Sequence, residues 1–140
     1  MDNWEQEFRK WIAHIDVPKT CPVYKFRDDH DTKGRRISLL DKWWKGGILL
    51  MGYEMFRILV NSDVQYSHYL VNPGPSLVVA DEGHRLKNKE TELYKYLQCL
   101  KTHSRIILTG SPLQNNLEEY WCTINFASPN YLGKSEDFKR

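Results

Sequence analysis

The sequence predicts an α/β fold in which a parallel sheet is covered by helices on both faces. Three short apolar runs without polar alternation, at residues 48–51, 77–80 and 106–108, are typical of strands buried on both faces. Segments in which apolar residues recur at helical spacing lie before and after these runs. This alternation favours parallel pairing and a sheet packed between helices.

The composition is that of one soluble domain. A chain of 140 residues, 41% hydrophobic and 27% charged, suffices for one buried core and excludes intrinsic disorder. With 20 Lys and Arg against 18 Asp and Glu, the net charge of +2 indicates no strong basic field, although a local patch can still bind nucleic acid. No run approaches the roughly 20 apolar residues of a membrane span, so no membrane partner is expected.

The cysteines indicate neither a disulfide framework nor a zinc site. Cys21, Cys99 and Cys122 are an odd number and form no Cys-x-x-Cys pair. We expect reduced and mostly buried thiols. The acidic, aromatic N-terminus does not resemble a signal peptide, which points to the cytoplasm or the nucleus.

The first half of the chain predicts two amphipathic helices and two strands. Trp4, Phe8 and Trp11 share one face of a first helix, which Pro18 ends. Residues 23–26 are a short strand candidate, and the charged stretch 27–36 is predicted to be an exposed loop. A second helix carries Ile37, Leu40 and Trp44 on one face and closes at Gly46 and Gly47, before the apolar strand 48–51.

The second half continues the alternation. A helix over residues 53–60 is followed by the breaker at residues 72–75, the strand 77–80 and a helix around residues 93–100. The strand 106–108 ends at a Thr-Gly-Ser-Pro sequence, and a last helix over residues 117–125 is stopped by Pro129. No linker or repeat interrupts the chain, which is predicted to be one packed unit.

Reactive residues follow the predicted strands. Parallel sheets bind ligands beyond the carboxyl ends of their strands, and Asp81 and Glu82 come directly after the strand 77–80. In nucleotide-hydrolysing cores, one such carboxylate holds Mg²⁺ through water and its neighbour orients or deprotonates the attacking water. Taken alone, the acidic pair is also compatible with a solvated strand cap, His84 with a surface residue, and residues 109–112 with a plain turn.

Two longer motifs carry a family resemblance. Residues 81–88, Asp-Glu-Gly-His-Arg-Leu-Lys-Asn, and residues 107–117, Ile-Leu-Thr-Gly-Ser-Pro-Leu-Gln-Asn-Asn-Leu, strongly resemble motifs II and III of the Swi/Snf family of helicase-like ATPases. Residues 3–11 look like the helix after motif Ia, and residues 52–57 look like motif Ib. Residues 46–55 and 116–122 are particularly similar to the ATRX branch and its androgen-receptor-interacting helicase relative.

The resemblance implies an incomplete RecA-like motor lobe over residues 1–140, from just after motif Ia through motif III. It implies ATP and Mg²⁺ as cofactors, Asp81 as the magnesium residue, acting through water, and Glu82 as the water-activating residue. It also implies residues that link the nucleotide state to the DNA-facing side. These are His84, Thr109, Gly110, Ser111 and Gln114.

The resemblance further implies duplex DNA or nucleosomes as partners, and a nuclear chromatin-remodelling role. Family lobes touch DNA phosphates from loops near motifs Ia and Ib, and the basic residues after motif II can add to this. The candidates are Tyr53, Arg85, Lys87 and Asn88, with Lys89 beside them. A solvated loop remains the alternative for each lysine, and is favoured for the basic residues of the stretch 27–36.

Two parts of such a motor are missing from the sequence. No Gly-x-x-x-x-Gly-Lys-Thr/Ser run is present to cradle phosphates, and the second motor lobe with its arginines is expected to lie outside the chain. We therefore expect the chain alone to be inactive, marginally stable and inclined to expose apolar sheet surface. A non-catalytic truncated interaction module and an RNA helicase of related architecture are the alternative functions.

Overall fold

The computed structural model describes residues 2–15, 21–26, 32–110 and 116–138. The chain divides into two compact units, Met1–Ile58 and Leu59–Arg140, where the sequence predicted one packed unit. The boundary falls inside a helix, so no change of composition marks it. The described strands form two parallel pairs, and each pair lies within one unit.

The first unit pairs two short parallel strands. Its elements are α1 (Asp2–Ile12), β1 (Val23–Lys25), α2 (Lys33–Trp44), β2 (Ile48–Leu50) and the beginning of α3 (Tyr53–Ser62). Val23 is in register with Ile48, and Lys25 with Leu50. The ammonium of Lys25 lies 3.3 Å from the Glu5 carboxylate, which ties β1 to α1.

The charged stretch 27–36 is a loop only in part. Residues 33–36 form the first turn of α2, and residues 27–31 lie outside the described residues. The Thr32 side chain accepts a hydrogen bond from the N–H of Arg35, which caps the helix. Leu40, predicted to face the core, is fully buried.

The second unit contains the predicted alternation and two additional helices. Its elements are the end of α3, α4 (Val64–Leu70), β3 (Val78–Ala80), a 3-10 helix (Gly83–Leu86), α5 (Glu92–Gln98), β4 (Arg105–Ile107), α6 (Leu117–Ala127) and α7 (Ser135–Phe138). The sequence analysis did not predict α4 or α7. Asp63 caps α4 by accepting from the N–H of Gln65 at 2.8 Å.

The core of the second unit holds polar as well as apolar side chains. Leu86, Cys122 and Phe126 are completely buried where α6 packs against the 3-10 helix and β4. The guanidinium of half-buried Arg105 donates to the carbonyl oxygens of Thr102, Phe126 and Leu100, and burial lowers its pKa from the ordinary value. Arg105 thereby satisfies two carbonyls that follow α5 and one in the last turn of α6.

One face of the β3–β4 pair is open in the structure. The strands run parallel with Val79 in register with Ile106, and their side chains are 49% and 46% exposed. Leu77 and Leu108 flank them and are 52% and 37% exposed. The continuous apolar runs predicted these strands correctly, but the burial on both faces that they also predicted is not found at Val79 and Ile106.

The cysteines are less buried than predicted. Cys122 is buried, Cys21 is intermediate and Cys99 is exposed, and all three are free thiols. The sequence expectation of mostly buried thiols is therefore wrong for Cys99, whose Sγ donates to the Lys95 carbonyl on the surface of α5. In the described residues, no helix combines the length and the apolarity needed to cross a membrane.

Candidate functional site

The candidate site lies where β3 and β4 end side by side. Ala80 is in register with Ile107, and the N–H of Leu108 donates to the Ala80 carbonyl at 2.9 Å. The N–H of Gly83 then donates to the Leu108 carbonyl, also at 2.9 Å. These bonds bring residues 81–84 and 108–110 to the same edge of the sheet, as the sequence predicted.

Gly83 permits this close approach. A Cβ at this buried position would overlap Cγ2 of Ile107 and would lie 3.4 Å from the Leu108 carbonyl oxygen. Any larger residue therefore requires the Ile107 side chain or β4 itself to move away from the acidic segment. The sequence analysis gave Gly83 no role, because the contact joins residues that are distant in the chain.

The acidic pair occupies a constrained junction between β3 and the 3-10 helix. Glu82 has left-handed backbone angles, φ 54° and ψ 50°, which cost a residue with a side chain about 1–2 kcal/mol. Its N–H donates to Oδ1 of Asp81 at 2.8 Å. Fully buried Leu86 anchors the 3-10 helix that follows, so the junction is held at both ends.

The Glu82 carboxylate is accessible and has an imidazole beside it. Its Oε2 lies 3.2 Å from Nδ1 of His84, and the two side chains are 61% and 44% exposed. The orientation of the two groups is not that of a hydrogen bond, so the buried Nδ1 atom has no hydrogen-bond partner. An accessible carboxylate next to a second proton-carrying group is suited to orienting a water molecule and accepting its proton.

Asp81 is the described residue that best fits a magnesium ion. Mg²⁺ keeps several waters and takes one or two carboxylates together with phosphate oxygens. Asp81 is exposed at the strand end, and the described ranges contain no cluster of three or more His, Cys, Asp or Glu that could hold a metal. The donor set therefore fits a hydrated Mg²⁺ shared with a nucleotide and does not form a protein cage.

The structure describes some of the other predicted site residues and not all of them. Thr109 and Gly110 follow β4 and are exposed beside the acidic segment. Ser111 and Gln114 lie outside the described residues. Tyr53 is in the first unit, where it begins α3 directly after β2.

Two of the predicted DNA-binding residues have partners within the chain. The Lys87 ammonium lies 3.4 Å from the Glu119 carboxylate. The side-chain oxygen of Asn88 accepts from the N–H of Glu90 at 2.8 Å. Arg85 is exposed on the 3-10 helix.

Lys89 has several acidic neighbours. Its ammonium lies 3.5 Å from Glu118 and 3.7 Å from Glu136, and it donates to Oγ of Ser135 at 3.4 Å. Partial removal from water acts to lower the pKa of Lys89, but the nearby carboxylates outweigh it and the pKa is raised. The sequence analysis placed Lys89 beside the DNA candidates and did not foresee these partners, which lie on α6 and α7.

Comparison with known proteins identifies the kind of domain. The family model described as SNF2-related domain matches residues 1–140. The chain belongs to the SNF2-related family. This confirms the Swi/Snf resemblance that motifs II and III carry in the sequence.

The curated relatives agree with the branch that the sequence predicted. The chain is 40% identical to the transcriptional regulator ATRX homolog of Drosophila melanogaster, over 99% of the chain and 11% of that protein. It is 32% identical to the helicase ARIP4 of Homo sapiens, over 99% of the chain and 12% of that protein. The SNF2-related chain thus spans about a tenth of the length of these relatives.

A solved structure supports the fold. The chain aligns with the Sulfolobus solfataricus SWI2/SNF2 ATPase core in complex with dsDNA at a TM-score of 0.71 and 27% identity. The alignment covers 99% of this chain and 25% of that one. The predicted α/β class of a motor lobe is confirmed.

Proposed function

We propose that this chain forms part of the ATP-binding lobe of a DNA-dependent ATPase that moves along duplex DNA and remodels chromatin in the nucleus. The observation that carries the proposal is the Asp81 and Glu82 pair at the end of β3, fastened to β4 by the bond from Gly83 to Leu108. Similarity to an ATPase core that was solved with dsDNA, and to a transcriptional regulator and a helicase, supports it.

The residues have distinct roles in this proposal. Asp81 would hold the Mg²⁺ that accompanies ATP through water, and Glu82 would orient the attacking water and accept its proton. His84, Thr109 and Gly110 are proposed to couple the nucleotide to the end of β4, and the pairing of β3 with β4 supports this. Ser111 and Gln114 are proposed for the same coupling from the sequence alone.

The Glu82→Gln variant tests the catalytic role in the full-length protein that carries this chain. We expect DNA-stimulated ATP hydrolysis to fall by about 10²–10⁴-fold, because the amide cannot accept the proton, while ATP binding is retained. Phosphate release and nucleotide binding are measured in parallel. Glu90→Gln, which alters an exposed carboxylate on the same segment, is the control, and hydrolysis at the wild-type rate by Glu82→Gln would remove Glu82 from the mechanism.

The isolated chain is proposed to lack significant ATPase activity. Without a glycine-rich Lys-Thr/Ser run in its sequence, nothing here matches the phosphate cradle that positions ATP next to Asp81 and Glu82. Phosphate release by the purified chain, with and without duplex DNA, measures this. DNA-stimulated hydrolysis that disappears in Glu82→Gln would contradict it.

DNA contacts are proposed for Tyr53, Arg85 and Asn88, whereas Lys87 pairs with Glu119. Phosphate contacts make binding strongly dependent on salt concentration. Stimulation of the full-length protein by duplex DNA, compared with RNA, separates a DNA translocase from an RNA helicase of related architecture. Stronger stimulation by RNA would favour the helicase.

A further inference from the structure

The two lysines that follow the acidic site hold the first turn of α6. Lys87 pairs with Glu119 at 3.4 Å and Lys89 pairs with Glu118 at 3.5 Å. We call these four residues the lysine clasp. Single exposed ion pairs contribute little, but here two adjacent pairs join the same two segments, and Lys89 also reaches Ser135 and Glu136 on α7.

The clasp adds to other contacts that residues 81–89 make. The N–H of Gly83 donates to the carbonyl of Leu108, and the 3-10 helix packs against α6. Leu108 and the first turn of α6 are the two ends of the stretch that contains Thr109 and Gly110. Residues 81–89 are therefore fastened both to the end of β4 and to the first turn of α6.

The first turn of α6 carries the two carboxylates of the clasp. Asn116 caps the helix by accepting from the N–H of Glu118 at 2.9 Å, which fixes the direction of the first turn. The carboxylates of Glu118 and Glu119 are only 29% and 30% exposed. Partly shielded carboxylates hold an ammonium more firmly than freely exposed ones.

We propose that the lysine clasp is a positioning device for the reaction at Asp81 and Glu82, in which Lys87 and Lys89 act through Glu119 and Glu118 instead of through DNA phosphates. This rests on the ATPase function proposed above. The clasp keeps α6 and the end of β4 in place relative to the acidic pair when the second substrate, DNA, is bound.

The proposal is tested in the full-length protein by how variants of Lys87 and Glu119 change kcat and the KM for DNA. If the clasp holds α6 and the end of β4 in position, Lys87→Gln and Glu119→Gln each lower the DNA-stimulated kcat by about threefold to tenfold and leave the KM for DNA unchanged. The double variant is no slower than either single one, because both remove the same contact. Lys87→Arg keeps the pair and is expected to retain kcat.

A phosphate contact would give opposite signs. Lys87→Gln would then raise the KM for DNA, and Glu119→Gln would lower it by releasing the lysine. That pattern, or unchanged kinetics in both variants, overturns the proposal. The control is Lys95→Gln, which breaks an exposed Lys–Glu pair of 3.7 Å in the same unit.

Hydrogen exchange of the isolated chain provides a readout independent of ATP hydrolysis. Lys87→Gln and Glu119→Gln are each expected to speed exchange of the Tyr120 and Trp121 amides by about threefold. The Lys95→Gln control is expected to leave these exchange rates unchanged. Unchanged exchange rates in Lys87→Gln and Glu119→Gln would overturn the proposal that the clasp holds α6. A wild-type full-length protein without DNA-stimulated hydrolysis rejects the proposed function instead, and the exchange result then stands on its own.

Discussion

Gly83 determines how closely the acidic segment approaches β4. Its missing side chain leaves room for Cγ2 of Ile107, and its N–H completes the connection to Leu108. The position of Asp81 and Glu82 thus depends on a residue with no chemistry of its own. The absence of a Cβ at Gly83 therefore determines the geometry of the candidate site.

Gly83→Ala is expected to lower the free energy of unfolding by about 1–3 kcal/mol, because the new methyl group overpacks against β4. Urea unfolding of the isolated chain, followed by tryptophan fluorescence at sub-micromolar concentration, measures the change. Gly110→Ala is the matched control, since nothing lies within 4 Å of its Cβ position. Equal stability of the two variants would show that β4 accommodates the methyl group without loss of stability.

Part of this residue-scale picture could be predicted from the sequence. Residues 81–88 and 107–117 carried the resemblance to the Swi/Snf ATPases, and the family match confirms it. The left-handed backbone of Glu82 and the partners of Lys87 could not be predicted. Both depend on where β4 and α6 lie, and no local pattern encodes that.

At the scale of elements, a buried polar network joins α5 to α6. The hydroxyl of Tyr94 donates to the Cys122 carbonyl at 3.2 Å and accepts from Nδ2 of Asn125 at 3.2 Å. Oδ1 of Asn125 in turn accepts from the N–H of Asn130 beyond the end of α6. One hydroxyl therefore satisfies two buried groups of α6.

Tyr94→Phe is expected to lower the free energy of unfolding by about 1–3 kcal/mol, because it leaves the Asn125 side-chain amide without its acceptor in the core and removes the hydroxyl bond to the Cys122 carbonyl. Tyr96→Phe, which removes a hydroxyl bonded to the exposed Asn61 side chain, should cost less. Urea unfolding at neutral pH compares the two. A larger loss in Tyr96→Phe would argue against the network.

The same tyrosine predicts a pH dependence. Burial raises the pKa of Tyr94 above its ordinary value of about 10, because the ionised phenol is poorly solvated in the core. A raised pKa in the fold means that this stabilisation is complete below about pH 10 and is lost as the pH rises through the folded-state pKa. Wild type should therefore lose more stability than Tyr94→Phe between about pH 9 and pH 11, as unfolding curves can show.

Helix periodicity and strand hydrophobicity predicted most elements, but capping decided their limits. The dense charges and Gly34 of residues 33–36 were interpreted as a loop, whereas the Thr32 cap starts α2 there. Helix α4 has only seven residues and begins with Val64, which is 84% exposed, so its apolar pattern is weak. Asp63 was the available signal for its start.

At the scale of the whole molecule, the open face of the β3–β4 pair is the main apolar surface on the described strands. Leu77, Val79, Ile106 and Leu108 form it, and one-third to one-half of each side chain is exposed. The sequence analysis expected such a surface from the missing parts of the motor. Which face it would occupy depended on strand pairing, which the apolar runs did not reveal.

This surface is expected to drive self-association of the isolated chain. Val79→Thr combined with Ile106→Thr keeps β-branched residues in the strands and reduces the apolar area, so association should weaken without loss of secondary structure. Sedimentation velocity over a concentration series measures it. Val64→Thr, at an exposed helical position, is the control, and equal association of all variants would place the contact elsewhere.

Because the backbone at Glu82 is left-handed, folding stability and ATP turnover favour different residues at this position. Gly or Asn adopts these angles at lower cost, so a library selected only for expression should enrich those residues at position 82. A library selected for ATP turnover should retain Glu. A redesign guided by conformational preference alone would therefore replace the residue that is proposed to accept the proton.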